Sequence, residues 1–434
     1  METKQAIKVD TQELGRILPK IENRVEALKL ILPEDHKPYT DKYFLRTNEI
    51  LKADGLNPWV RAQVFLRGGP GEIRGIDEAI AIIDKYSNIR QNGGKVYAKE
   101  EGEIFEPLES VMIIEARVQD IIELETMYLG VIAGETRKSS LGVAELDTDK
   151  IKERMQAICL SAEGRPVYYL GARHARWDED SIISKAAFAG GAAGASTDIG
   201  AAHGDLLGMG TIPHALENIY AWIYGKDNAV VESTKAFDRV IDKAIPRIAL
   251  VDYNNREVGD SVAVARALEG KLSAVRVDTC GENVAQGAFE KIEDVPLDHP
   301  LRKILDKIPA QDVPFWFGRG VTVSGVFAIR EALDHAGFDD VQIVLTSGFG
   351  KLEKDEAFRR ANELLKWELG STSIYQQWGV GKIFPSCTST MDLTAVSDSP
   401  NDLDEHELSK VGRPARPNPS LELRLGELGK EGRA

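Results

Sequence analysis

The sequence predicts an α/β protein in which parallel strands are joined by crossover helices, set behind an N-terminal α+β region. Two observations carry this. From about Val167 short β-rich runs alternate with amphipathic helical ones, and regular strand–helix–strand alternation gives parallel strands with crossover helices. The strand runs are also apolar with little polar alternation, as expected when helices cover the sheet. An open doubly wound sheet and a closed barrel both fit the pattern. A chain of 434 residues exceeds one ordinary core, so two domains, or one barrel with an added domain, are expected.

The first domain is expected over residues 1–140. It begins with a helix over Lys42–Asp54 and a strand over Val60–Leu66. A helix over Ile76–Tyr86 follows, with Ile76, Ala79, Ile80, Ile82 and Ile83 on its apolar side. Short strands at Lys95–Ala98, Glu103–Phe105 and Val111–Glu115 are punctuated by Gly and Pro, and Val118–Gly134 reads as one long buried helix. The second domain, over residues 141–385, has strands at Val167–Leu170, Ile248–Tyr253, Ala274–Thr279, Val341–Ser347 and Ser373–Gly379. Its helices are Asp178–Ala189, Ala229–Lys243, Val258–Leu268, Ser324–Ala336 and Lys354–Leu369. Residues 386–434 form a C-terminal segment, polar from Ser397 onward. By composition it is a solvated tail, although Leu421, Leu423 and Leu425 alternate as an edge strand does.

Composition narrows the function. A net charge of -15 argues against general nucleic-acid binding, which needs a basic face. It leaves room for a small anionic substrate held by a few local arginines. Cys159, Cys280 and Cys387 are widely separated and form no C-x-x-C pair, which argues against a zinc knuckle and fits a reducing compartment. Met1–Lys20 lacks the apolar core of a signal peptide, and no run approaches a membrane span. A cytoplasmic location with no membrane partner is expected.

Ligands of parallel α/β folds bind at the C-terminal ends of the strands. Those ends carry Gly171-Ala172-Arg173-His174, Asp252-Tyr253-Asn254, Arg276 with Asp278 and Thr279, Thr346-Ser347-Gly348, and Gly379-Val380-Gly381-Lys382. Glycine turns let backbone N–H groups approach a phosphate. Carboxylates can hold ribose hydroxyls or a Mg²⁺. A single aspartate there is more simply a helix cap, whereas five polar strand ends together suit a phosphorylated sugar. The segment Gly208-Met-Gly-Thr-Ile-Pro-His214 delivers a loop histidine at the start of a helix. It could be an acid, a base, a nucleophile, or an ordinary polar residue of a first turn.

Other features carry less. Gly69-Pro-Gly71 with Gly75 is a plain turn rather than a dinucleotide-binding one, and no G-x-x-x-x-G-K-[ST] occurs. His36, His203, His299, His335 and His406 lack metal-ligand spacing, and Trp177, Trp222, Trp316, Trp367 and Trp378 are expected in the core.

Eight short motifs occur in one order between Tyr39 and Arg413: Thr40-Asp41-Lys42-Tyr43, Gly171-Ala172-Arg173, Phe188-Ala-Gly190-Gly191, Gly210-Thr211-Ile-Pro-His214, Arg276-Val-Asp278-Thr279, Ser347-Gly348, Gly379-Val-Gly381 and Ser409-Lys410-Val-Gly412-Arg413. The set resembles the nicotinate and nicotinamide phosphoribosyltransferases, type II enzymes that include quinolinate phosphoribosyltransferase. The resemblance implies an α/β barrel, TIM-like and either complete or incomplete. It implies that Tyr43 stacks on the pyridine ring in a neighbouring subunit's site, hence a homodimer or larger homo-oligomer. Arg173 would lie beside the base and phosphates, and His214 would be phosphorylated by ATP. Asp278 would hold the ribose of phosphoribosyl pyrophosphate, with Asp252, Arg276, Thr279 and Arg137 also binding substrate. Ser347, Gly348, Gly379 and Gly381 would grip the 5′-phosphate, and the tail would bring Lys410 towards the site. The implied reaction converts nicotinate to nicotinate mononucleotide and pyrophosphate in NAD biosynthesis, with ATP as co-substrate and Mg²⁺ as cofactor. Nicotinamide or quinolinate as the base, and a non-catalytic binding barrel, are the alternatives. His174 stands where relatives often have a second arginine, Leu170 where an aromatic is common, Ala193 where an acid is common, and Cys280-Gly-Glu-Asn where some have a basic stretch. These departures bear on the base rather than on the reaction class.

Overall fold

Apolar side chains sort into two main cores, one under an antiparallel sheet and one inside a parallel sheet. The computed structural model describes residues 24–426, so the expectation for Met1–Lys20 lies outside the described residues.

The antiparallel sheet is built from strands β1 (Trp59–Leu66), β3 (Lys95–Ala98), β5 (Ser110–Arg117), β12 (Ser389–Ser397) and β13 (Glu422–Leu425), in the order β12-β1-β5-β3-β13. β2 (Gly71–Glu72) and β4 (Ile104–Phe105) pair separately. Both outer strands thus come from the C-terminal segment. The alternation of Leu421, Leu423 and Leu425 marks a true edge strand, paired through Leu423 and Leu425 to Tyr97 and Val96. β12 is not evident in the sequence, because Ser389–Ser397 mixes polar and apolar residues. Its partner β1 is what selects the extended form, from Trp59↔Ser397 to Leu66↔Ser389.

The long helix expected over Val118–Gly134 is instead three pieces: Val118–Ile121, a 3₁₀ turn Ile122–Leu124, and Glu125–Leu141. Apolar spacing of three or four residues is satisfied by either kind of turn, so the pattern cannot show a change between them. The consequence is local: Glu125 opens the last piece from a buried position.

The parallel sheet has six strands: β6 (Val167–Tyr169), β7 (Gly194–Ala195), β8 (Arg247–Leu250), β9 (Leu272–Val277), β10 (Gln342–Leu345) and β11 (Gln377–Val380), ordered β7-β6-β11-β10-β9-β8. Every neighbouring pair is parallel. Helices Asp180–Ala189, Ala229–Val240, Glu257–Ala267, Val323–His335 and Leu352–Leu369 form the crossovers. Trp316 and Trp378 are buried in this domain, but Trp367 is 83% exposed, lying near the end of the last crossover helix rather than in the core.

The barrel is incomplete, a half-barrel whose edge strands β7 and β8 do not pair with each other. The loop before His214 spans that seam. Met209 N–H donates to the Ala195 carbonyl of β7 at 3.0 Å. The Thr211 hydroxyl donates to the Ile248 carbonyl of β8 at 2.8 Å. Helix His214–Tyr224 then packs on β12, placing Leu216 and Ile219, beside Ile212 of the loop, in the core of the antiparallel domain. No helix among the described residues is long and apolar enough to cross a membrane.

Candidate active site

The strand ends of the half-barrel bring most of the expected residues to one face. Asp252 follows β8, Asp278 follows β9, Ser347 and Gly348 follow β10, and Gly381 follows β11. His214 comes from the seam loop, and Lys410 from the C-terminal segment.

At the centre is a three-member chain, its aspartate and lysine buried and its histidine partly exposed. His214 Nε2 lies 2.9 Å from Asp252 Oδ1, and the Lys410 ammonium donates to Asp252 Oδ2. Lys410 Nζ is also 3.5 Å from the Asp278 carbonyl. Burial alone would raise the Asp252 carboxyl, but the Lys410 charge and the bond from His214 outweigh it and hold the group well below the usual carboxylate range. Burial would lower the Lys410 ammonium, yet Asp252 and Asp278 keep it raised and cationic. Burial, then Lys410, lowers His214 despite its carboxylate partner. A neutral imidazole donating Nε2–H to Asp252 keeps its Nδ1 lone pair free.

Lys410 is placed by its neighbours. Val411 N–H donates to the Tyr253 carbonyl at 3.0 Å, Asn283 donates to the Val411 carbonyl at 3.0 Å, and Asn218 donates to the Leu408 carbonyl at 2.8 Å. The tail is therefore stitched over the strand ends. The Asp278 carboxylate forms no ion pair among the described residues. Arg276 Nη2 donates to the Ile212 carbonyl at 2.9 Å and steadies the seam loop.

The phosphate-type turn at Ser347–Gly348 has left-handed φ values of 64° and 83°, which glycine adopts freely and serine rarely. Lys354, from the first turn of the following helix, returns to it and donates to the Ser347 carbonyl at 3.0 Å. Burial lowers its ammonium to about 8. The sequence reading missed this lysine; its only mark is its place just past a glycine turn.

Four of the expected site residues make contacts within the chain. Arg137 is fully buried, with its guanidinium on Glu179 at 2.7 and 3.2 Å and on the Val143 carbonyl at 3.1 Å, so it serves the interior. The Thr279 hydroxyl is turned inward onto Glu257 at 2.8 Å. Gly379 lies within β11, where a Cβ would collide with Leu170, so it is a packing glycine. Tyr43 packs against its own chain, 4.3 Å from the Phe44 ring and 5.6 Å from the Arg173 guanidinium.

Arg173 itself is paired with Asp41 at 3.1 Å and Glu125 at 2.9 Å. Asp41 belongs to the Thr40–Tyr43 motif, whereas Glu125 was not singled out in the sequence, where it follows Asp120 and Glu123. His174 is pushed down to about 4 by burial and by Arg173, so it adds no positive charge where a second arginine is common. Its ring packs on Gly381, where a Cβ would come within 2.7 Å of Cε1.

No group of three or more His, Cys, Asp or Glu side chains among the described residues is placed to hold a metal. Asp252 has both oxygens engaged. Asp278 can offer one carboxylate, which suits a Mg²⁺ completed by substrate phosphates and water rather than by a protein cage.

Residues 41–134 match the family described as quinolinate phosphoribosyl transferase, N-terminal domain. No curated protein sequence matches the chain. Among solved structures, a nicotinate phosphoribosyltransferase from Porphyromonas gingivalis is similar with a TM-score of 0.57 and 12% identity, over 88% of this chain and 93% of that one. A nicotinate phosphoribosyltransferase from Vibrio cholerae is similar with a TM-score of 0.55 and 12% identity, over 86% and 87% respectively.

Proposed function

We propose that this chain, which has the type II phosphoribosyltransferase fold, transfers the phosphoribosyl group of phosphoribosyl pyrophosphate to nicotinate, with ATP hydrolysis coupled through His214. The observation that carries the reading is the His214–Asp252–Lys410 chain beside Asp278 and the Ser347–Gly348 turn, all at the strand ends.

The 5′-phosphate is assigned to the Ser347–Gly348 turn, with Lys354 as its counter-charge. Asp278 holds the ribose hydroxyls. The bond from C1′ to the pyrophosphate oxygen breaks, and the leaving group keeps the bonding pair. The pyridine nitrogen forms the new bond to C1′. Positive charge grows on the ribose and is stabilised by the fixed Asp278 carboxylate. The base needs placement more than activation, and Tyr43 and Arg173 supply it. A Mg²⁺ held by Asp278 and the pyrophosphate would neutralise charge on the leaving group. In the coupled step the Nδ1 lone pair of His214 takes the γ-phosphoryl group from ATP, releasing ADP, and water later removes it as phosphate. Asp252 holds the ring through Nε2–H, and Lys410 keeps Asp252 ionised.

The test is pyrophosphate release with nicotinate, nicotinamide and quinolinate, each with and without ATP. Release with nicotinate, increased by ATP, is the expected outcome. No release with any pyridine would leave a binding barrel without the chemistry.

A further inference from the structure

Two chains of polar contacts run side by side between the same three elements. The first is His214–Asp252–Lys410. The second lies one helical turn along. Asn218 follows His214 by four residues on the same helix, so both side chains lie on one face. Tyr253 is the neighbour of Asp252 just after β8, and Leu408 and Val411 flank Lys410 in the tail. The Tyr253 hydroxyl donates to Asn218 Oδ1 at 2.6 Å. Asn218 Nδ2 donates to the Leu408 carbonyl at 2.8 Å and lies 3.5 Å from the Leu393 carbonyl of β12. Val411 N–H donates to the Tyr253 carbonyl at 3.0 Å. Asn218 and Tyr253 are both buried. An amide that accepts with its oxygen and donates with its nitrogen is fixed in direction.

We propose that Asn218 is a positioning residue of the coupled step: it sets the register between the histidine helix and the tail, so that His214 and Lys410 meet the two oxygens of one carboxylate. The inference rests on the phosphohistidine reading above. It adds the side chain that keeps the ammonium on the histidine's partner.

The geometry calls for such a link. His214 and Lys410 reach Asp252 from distant segments of the chain, and a hydrogen bond weakens steeply when misaligned. Two other anchors hold the tail nearby. Leu408 N–H donates to the Thr394 carbonyl at 2.8 Å, which ties the tail to β12. Asn283 donates to the Val411 carbonyl at 3.0 Å, which ties it to the loop after β9. Neither anchor belongs to the histidine helix, which grips the tail at Asn218.

The consequence falls on His214. Lys410 faces it from the tail, Asp252 from the end of β8 and Asp278 from the end of β9. Glu217, on its own helix, is wholly buried and held protonated by that burial, so it brings no charge. Arg276, on the Ile212 carbonyl, is a second cation that the tail does not hold. Lys410 is thus the cation whose place the tail decides. While it stays on Asp252 the ring is neutral and Nδ1 is free. If the register slips, the two aspartates dominate, the ring takes a proton on Nδ1, and the lone pair that attacks the γ-phosphoryl group is lost.

The experiment is NMR titration of His214 in protein carrying isotope-labelled histidine, with its signal identified by its loss in His214→Ala. In Asn218→Leu, similar in shape and without either bond, the His214 pKa rises by about one pH unit. Tyr253→Phe removes only the hydroxyl that orients the amide and moves it the same way by less. Lys410→Met moves it most. Adding Asn218→Leu to Lys410→Met moves it no further, because the effect passes through the ammonium. The pH midpoint for phosphorylation of His214 by ATP follows the same shifts. A merely structural side chain would change stability and leave the His214 pKa in place. That result, or an Asn218→Leu shift that persists in full beside Lys410→Met, overturns the proposal. If Asn218→Leu does not fold, Tyr253→Phe decides, and an unmoved pKa there overturns it equally. A His214 pKa that moves in a protein that ATP never phosphorylates would refute the coupled step and leave the role of Asn218 standing. Phosphorylation by ATP with an unmoved pKa would do the reverse.

Discussion

Replacing Lys410 by Met should destabilise the protein by about 3–5 kcal/mol. Lys410 and Asp252 have side-chain exposures of 5% and 0%, so neither charge is solvated. Opposite unit charges about 3 Å apart attract by roughly 5 kcal/mol at an effective dielectric constant of about 20. Desolvation costs several kcal/mol per ion and offsets most of that gain. The pair as a whole therefore adds little net stability. Losing one member is different, because the desolvation of the survivor is then uncompensated. Lys410→Met leaves Asp252 with only the 2.9 Å contact to His214. Asp252→Asn leaves a buried ammonium facing a neutral amide. The double variant removes both charges.

The assay is urea unfolding at neutral pH on the four members of this cycle, with ΔG taken by linear extrapolation and unchanged m-values required. Each single variant should lose about 3 kcal/mol or more. The double variant should lose less than the sum by at least about 2 kcal/mol. The pH dependence has a fixed sign. The folded Asp252 carboxyl is held below its unfolded value, so its contribution is full above about pH 4 and fades as pH falls towards the folded value. The gap between wild type and Lys410→Met should therefore narrow in acid. Additive losses, or single losses below about 1 kcal/mol, would refute the reasoning.

His214→Ala should abolish the effect of ATP on pyrophosphate release, and remove any acid-labile phosphorylated species by mass spectrometry, while leaving some ATP-independent transfer. An undiminished ATP effect counts against the assignment. Lys354→Met should raise KM for phosphoribosyl pyrophosphate about tenfold, or about 1.4 kcal/mol, with KM for nicotinate unchanged; steady-state kinetics decide. Arg137→Met should lower stability by about 2–3 kcal/mol by leaving Glu179 with only the Arg176 N–H at 3.0 Å, with kcat/KM of the folded protein unchanged. A selective rise in KM there would restore Arg137 to the substrate.

What could be read from the sequence was position along the chain. Parallel strands betray themselves by apolar runs, and their polar C-terminal ends are adjacent in sequence, so Asp252, Asp278 and Ser347 could be named without coordinates. What could not be read was direction. Thr279 sits one residue beyond Asp278, and nothing local says that its hydroxyl turns to Glu257. Gly379 and Gly348 look alike as letters, yet one fills a strand against Leu170 and the other completes a left-handed turn. Arg137 and Arg173 are equally arginines, and only tertiary packing buries the first on Glu179 while leaving the second 31% exposed. The partners of Lys410 and Glu125 lie 158 and 48 residues away; such pairings have no local pattern to betray them.

The histidine shows why the incomplete barrel matters. A loop residue is a poor place for a reacting group unless the loop is fixed, and this one is fixed from four directions. Met209 and Thr211 bind the two edge strands. Arg276 holds the Ile212 carbonyl at 2.9 Å, and Arg46 holds that of Gly210. Gly210, at φ 136°, is where the loop passes closest to Tyr43, and a Cβ there would meet the tyrosine Cβ at 3.2 Å. These anchors exist because β7 and β8 leave their outer edges unpaired. Had the two strands closed the barrel on each other, the Ala195 and Ile248 carbonyls would be taken by the ladder. The loop would then lose its footing, and His214 its place beside Asp252, which follows β8. The gap in the sheet is thus part of the site: it gives a flexible glycine-rich segment the backbone partners that hold its histidine against Asp252.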